Sequence, residues 1–323
     1  MEPTSEAIDA ALTRRPLGRT GLNVTPVCIG GAPIGSMPMV FGYETPEDRA
    51  IETVLAAFES RFNFLDTAAG YSDGASERRI GEAIRRRGGL PDGFVVATKV
   101  DAHSVTRDYS AAQVRRSCEG SLERLGLDRI PLLYLHDPEV AAFDDLVAPG
   151  GAVDELVKLR DEGLAEHLGL AGGPVDLMGR YLDRGVFEVL ISHNRWTLLD
   201  RSADELFSHA TEMGVAIVNA APFGGGILAA GTSGRTTYAY SDASPAQLDA
   251  VKRIEGICAA AAVPLAAAAL QFSIREPRVS ATIVGVSRPE RIAETERLAA
   301  WPIPEEIWAE LATVSTPAET WLY

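Results

Sequence analysis

Eight short runs of consecutive apolar residues recur along the chain, and each is followed by a stretch with helical spacing. The runs are expected as strands at Val24–Ile29, Phe62–Asp66, Phe94–Lys99, Ile130–His136, Ala165–Leu170, Val186–Ile191, Val215–Ala221 and Ala281–Val284. Strands that read as continuous apolar segments, rather than alternating ones, are buried on both faces, as in a parallel sheet covered by helices. The helical stretches carry their own signals. Thr45-Pro46-Glu47-Asp48 opens the first of them, with Ile51, Val54, Leu55 and Phe58 following at helical intervals. Eight strand-helix units predict an α/β chain closed into a (β/α)8 TIM barrel, and 323 residues suit one such barrel with insertions. No Pro/Gly/Ser-rich linker divides it. The expected plan is a mobile leader at 1–13 and a single domain over 14–323. That domain has an N-terminal hairpin and an aromatic tail (Trp301, Trp308, Trp321, Tyr323) folded back over the barrel mouth.

In such a barrel the C-terminal edge of the sheet is where active sites are built. Asp66, Lys99 and His136 fall at that edge on strands two, three and four, and Tyr71 lies five positions past Asp66 after a turn ending in Gly70. Each alone has an ordinary structural reading: a capping acid, a snorkelling lysine, a backbone-bonded histidine, a surface tyrosine. Their coincidence at one rim favours chemistry. Asp66 can hold Lys99 charged, and a fixed cation beside a phenol pulls its pKa below the free value of about 10. Tyr71 is then expected as a proton donor or acceptor, with His136 hydrogen-bonding the substrate oxygen. Gly30-Gly31 after strand one reads equally as a tight turn or as a place where backbone comes close to a ligand.

Charge and composition narrow the partners. Lys+Arg of 30 against Asp+Glu of 45 give a net charge of −15, which repels nucleic acid and anionic membranes but leaves room for a local basic pocket that binds a phosphate. Mean hydropathy is +0.03 and no apolar run reaches the length of a membrane span. Glu2, Glu6 and Asp9 stand where a secretory signal would be basic and apolar, so a cytoplasmic location is expected. Three widely spaced cysteines fit a reducing compartment. No metal is expected. No histidine pair has zinc spacing, and Cys28-Ile29-Gly30-Gly31 stands where a metal-dependent hydrolase would need His-x-His. His103 is read as a loop residue near the rim, His167 and His209 as packing or solvent-facing residues.

The segments PLGRTGLNVTPVCIGG, FNFLDTAAGYSDGASERRIGEAI, VVATKV, LLYLHDPE, NAAPFGGGILA and IVGVSRPERIAET resemble the aldo-keto reductase family over nearly the whole chain. Asp66, Tyr71, Lys99 and His136 match that family's catalytic positions one for one. The resemblance implies a nicotinamide dinucleotide bound without a Rossmann domain and hydride exchange with a carbonyl or carbinol carbon, Tyr71 moving the proton. Gly30-Gly31-Ala32-Pro33-Ile34-Gly35 and Asn194–Asp200 look most like the aldose dehydrogenase branch, which oxidises sugars at the anomeric carbon to lactones, with a pyridoxal 4-dehydrogenase as a near relation. An NADPH-dependent aldehyde or ketone reductase is the alternative. By the same resemblance the cofactor lies against Gly31, Asp66, Ala171, Gly172, His193, Ala221, Phe223, Gly224, Gly225, Gly285, Ser287, Arg291, Glu294 and Thr295. Phe223-Gly224-Gly225-Gly226 is expected to present amides to the pyrophosphate.

Several positions depart from the common pattern. Ala171-Gly172 replace Ser-Asn, His193 replaces Gln, and Ala220 replaces the aromatic that stacks on nicotinamide, a role Trp196 could fill unless it is core. Gly285 stands where NADP-preferring relatives carry lysine, which leans toward NAD, although Arg288 and Arg291 could bind a 2′-phosphate.

Overall fold

The computed structural model describes residues 2–239 and 241–323. Eight parallel strands, β1 (Val27–Gly30), β2 (Phe64–Asp66), β3 (Val95–Val100), β4 (Ile130–His136), β5 (Ala165–Gly172), β6 (Val189–His193), β7 (Ala216–Ala220) and β8 (Val279–Gly285), close into a barrel. They follow one another in chain order, and β8 returns to pair with β1 through Gly285 opposite Gly30. The fold is therefore the (β/α)8 barrel that the eight apolar runs predict.

Side chains along a strand alternate between faces, which sorts the barrel into two cores. Leu65, Val96, Leu133, Leu168, Leu190 and Ile217 point outward and are sealed by the helices. Cys28, Phe64, Ala97, Tyr134, Ile191, Val218 and Ile283 point inward and fill the barrel. Two residues further along the strands, the same parity sets the inward positions of the C-terminal rim: Gly30, Asp66, Lys99, His136, Ala171, His193, Ala220 and Gly285. The opposite end is plugged. Arg15–Pro16 pairs antiparallel with Asn23–Val24, and Leu17 and Val24 are buried in the interior cluster. The rim of β1–β8 is left as the mouth.

The first strand starts at Val27 rather than Val24, because Val24 belongs to the hairpin and Pro26 has no amide to contribute to the ladder. Residues 1–13, expected to be mobile, instead carry a helix at Ser5–Ala11. Thr4 caps it, Ile8 and Leu12 bury against the outer core, and Asp9 and Ser5 bond the Arg61 guanidinium. Glu6 and Asp9 are exposed on this helix, and Ile8 is its buried residue. The tail forms a helix at Glu305–Leu311 and is then fastened to the segment after β6. Leu322 N donates to Asp200 at 2.8 Å and Ser202 Oγ donates to Leu322 O at 2.7 Å. Among the described residues, no single helix is long and apolar enough to cross a membrane.

Candidate active site

Asp66 and Lys99 occupy adjacent strands on the inward face; Asp66 is in register with Ala97, two residues before Lys99, and the long lysine side chain closes the remaining distance. Both are almost wholly buried. An ammonium has three protons to donate, and each finds an acceptor: Asp66 Oδ2 at 2.6 Å, Thr67 O at 2.8 Å and Tyr71 Oη at 3.1 Å. Because Lys99 donates to the phenol oxygen, the Tyr71 proton is free to be directed elsewhere. Burial disfavours the Lys99 charge, but Asp66 and Tyr71 outweigh it and hold the ammonium above its ordinary range.

Tyr71 rides on the turn between β2 and the helix Ala75–Arg87 and is half-buried. The turn is pinned from below: Ala69 N donates to Lys99 O at 3.2 Å and Gly70 N to Asp101 Oδ2 at 2.7 Å. Its electrostatics differ from the expected net lowering of the phenol pKa. Burial is the largest influence and raises it, Lys99 pulls it down, and Asp66 pushes it up again, so the net displacement is upward. The cation acts in the expected direction but does not win. Tyr71 is therefore a protonated phenol near neutral pH.

His136 ends β4 with its ring edge-on to Tyr71, the centroids 5.7 Å apart at 83°. Its Nδ1 lies 2.7 Å from Asp101 Oδ1. Burial would lower the imidazole pKa, yet Asp101 and Asp137 together raise it. Asp101 and Tyr109 are the two residues of this neighbourhood that sequence reasoning missed. The Tyr109 hydroxyl lies 2.6 Å from His136 O and accepts from His136 N at 3.0 Å. Both lie past the end of β3; the one signal available was that Asp101 continues the inward alternation of that strand, two positions beyond Lys99.

The remaining rim is chemically divided. Asp66, Lys99, His136 and His193 carry polar groups, with Ala171 between the two histidines, whereas Ala220, Gly285 and Gly30 on consecutive strands leave an arc almost free of side chains. Such an arc suits a flat ring lying against the barrel end, and Asp66 Oδ1 is buried there without a hydrogen-bond partner. His193 points inward with Nδ1 3.2 Å from Asn194 Nδ2, and burial chiefly pushes its pKa down to about 4, so it is neutral at pH 7. The features of this chain's own residues thus fit a nicotinamide at the mouth.

Other expected contacts are placed less simply. In Phe223–Gly226 the Gly224 and Gly226 amides are already bonded to Ala221 O and Phe223 O, so those two serve the turn rather than a phosphate. Arg291 pairs with Glu294 at 3.1 Å, and the Thr295 hydroxyl donates to Arg291 O at 2.7 Å, both on the helix after β8. Trp196 is core: it stacks on Phe272 at 5.8 Å and meets Phe207 at 5.5 Å in the helical layer. His103 accepts amides of its own loop, His167 pairs with Glu188 at 3.1 Å and His209 with Asp183 at 2.8 Å, the ordinary roles expected of them.

Residues 26–316 match the model of the Aldo/keto reductase family. The chain belongs to that family. As an aldo-keto reductase it is an oxidoreductase of a family that uses nicotinamide cofactors. It is 31% identical over 316 residues to an L-galactose dehydrogenase of Arabidopsis thaliana, covering 95% of this chain and 96% of the relative. A D-threo-aldose 1-dehydrogenase of a Pseudomonas species is 32% identical over 318 residues, covering 90% and 94%. A pyridoxal 4-dehydrogenase of Microbacterium luteolum is 31% identical over 340 residues, covering 93% and 97%. Among solved structures, the aldo-keto reductase AKR11C1 of Bacillus halodurans superposes with a TM-score of 0.76 at 24% identity, covering 95% of this chain and 97% of that one, a likeness of fold.

Proposed function

We propose that this aldo-keto reductase oxidises an aldose at the anomeric carbon to the lactone, with Tyr71 exchanging the proton and Asp66, Lys99 and His136 completing the site. The observation that carries the reading is the Lys99 ammonium, fastened to Asp66 at 2.6 Å and reaching Tyr71 Oη at 3.1 Å. A bound nicotinamide dinucleotide would supply the hydride acceptor. Asp66, Ala171, Gly172 and His193 would hold its nicotinamide end, Gly31, Ala221, Phe223 and Gly225 its middle, with Gly224 shaping that turn, and Gly285, Ser287, Arg291, Glu294 and Thr295 its adenosine end.

Lys99 stabilises negative charge on the Tyr71 oxygen as the phenol loses its proton, and regains nothing when the phenol is neutral. Its effect is therefore largest where a proton is in transit. His136 orients the substrate oxygen. The raised Tyr71 pKa sets the sign of the pH dependence: a base must first shed its proton, so oxidation accelerates as pH rises above neutrality, whereas the reverse reduction finds Tyr71 already protonated at pH 7.

The preference leans to NAD. No lysine stands at Gly285, Arg291 is engaged by Glu294, and Glu290, paired with Arg49 at 3.0 Å, adds acid at the start of the same helix. An additional phosphate there meets carboxylates. The three free, buried cysteines accord with a cytoplasmic setting.

A spectrophotometric screen of L-galactose, L-fucose, D-arabinose, pyridoxal and simple aldehydes with each dinucleotide checks this. The expected result is dinucleotide reduction with at least one aldose, faster at pH 9 than at pH 7 and about ten-fold or more in favour of NAD, an energy of roughly one charge-assisted contact. Turnover confined to aldehydes with NADPH would assign the chain to carbonyl reduction instead, and turnover confined to pyridoxal would move the substrate.

A further inference from the structure

The Asp101 carboxylate touches two parts of the site at once. Oδ1 lies 2.7 Å from His136 Nδ1, and Oδ2 accepts from Gly70 N at 2.7 Å, one residue before Tyr71. Asp101 is itself clamped to the helix Ala111–Leu125: its amide donates to Ser117 Oγ at 3.1 Å and its carbonyl accepts from Gln113 Nε2 at 3.1 Å. The approach is close enough to require glycine at 70, where a Cβ would lie 2.7 Å from Asp101 Oδ1. We propose that Asp101 is a positioning residue, its two oxygens tying the His136 ring to the turn that carries Tyr71 so that imidazole and phenol face one substrate oxygen. This rests on the reading above that those two groups serve the reaction.

A carboxylate on Nδ1 decides what Nε2 offers. Neutral His136 keeps its proton on Nδ1, toward Asp101, and Nε2 is then an acceptor; only the imidazolium presents an Nε2 donor to a substrate oxygen. The charged and titratable groups around the ring are Asp101 and Lys99 from the end of β3, Asp66 and Tyr71 from β2 and its turn, Asp137 and Glu139 after β4, and His193 from β6. Asp137 is the second acid, 3.7 Å from Nε2, and Asp101 is the one in hydrogen-bond contact. Removing the Asp101 charge while keeping its shape leaves the neutral form favoured and free to change tautomer.

The test is Asp101→Asn, with imidazole nitrogen NMR of the ligand-free protein and His136→Asn to assign the signal. The wild type should show His136 titrating above the usual value of about 6.5, and the variant about one pH unit or more lower. In the reduction direction, where the substrate carbonyl needs a donor, the limb of the kcat/KM profile that follows loss of the His136 proton should move by the same amount, with kcat reduced about ten-fold or more and KM for the dinucleotide unchanged. Should the folded Asp101→Asn protein retain both the His136 midpoint and the pH profile, the assignment is overturned. If the wild type oxidises nothing in the screen, the functional reading fails, and the titration still decides whether Asp101 governs His136.

Discussion

Tyr71→Phe is expected to lower turnover by about 10²–10⁴-fold, the usual contribution of a positioned acid or base, while leaving the fold intact. The substitution removes one oxygen. Lys99 keeps its bonds to Asp66 and Thr67 O, and the turn keeps its anchors at Ala69 and Gly70. Phenylalanine fills the same half-buried space beside His136. Binding of the dinucleotide, measured by fluorescence titration, should be unchanged, so the loss appears in kcat. A variant with wild-type kcat would place the proton exchange on another group, and a non-catalytic dinucleotide-binding protein would give that result.

Lys99→Met carries the largest stability effect. Asp66 lies buried with one oxygen already unpartnered, and Lys99 is the cation that compensates its charge. Removing one member of a buried ion pair typically costs about 3–5 kcal/mol, because the other charge is stranded. Asp66→Asn made on top of Lys99→Met should recover part of that loss, a coupling expected of contacting residues. Denaturant melts of the single and double variants give the comparison; additive losses would mean that the pair does not act as a unit in stability. Both variants should also be inactive, which separates the two effects of the same ion pair.

The barrel was legible because its signal is periodic and repeated. A run such as Phe62–Asp66 is ambiguous alone, but eight of them between amphipathic helices leave one economical closure. The convergence of Asp66, Lys99 and His136 followed from the same parity, since inward positions recur every second residue and the last of them faces the mouth. What the sequence obscured lies beyond the strand ends. Asp101 belongs to a loop, and its two contacts span 31 and 35 residues to Gly70 and His136, which no local pattern records. Tyr71 was found, but its net pKa was misjudged because burial cannot be weighed against a neighbouring cation without distances. The Ser5–Ala11 helix was missed because seven residues with one buried isoleucine give too little periodicity to separate from a loose terminus.

The proposed oxidation requires the Lys99–Tyr71 pair to take up a proton while hydride leaves the anomeric carbon of a sugar. It is tested most directly by incubating the protein at pH 9 with an aldose deuterated at C1 and NAD, then locating the label by NMR. Deuterium is expected at C4 of the reduced nicotinamide together with a lactone product, in amounts that fall with Tyr71→Phe. Label retained on the sugar, or lost to solvent without dinucleotide reduction, would contradict it.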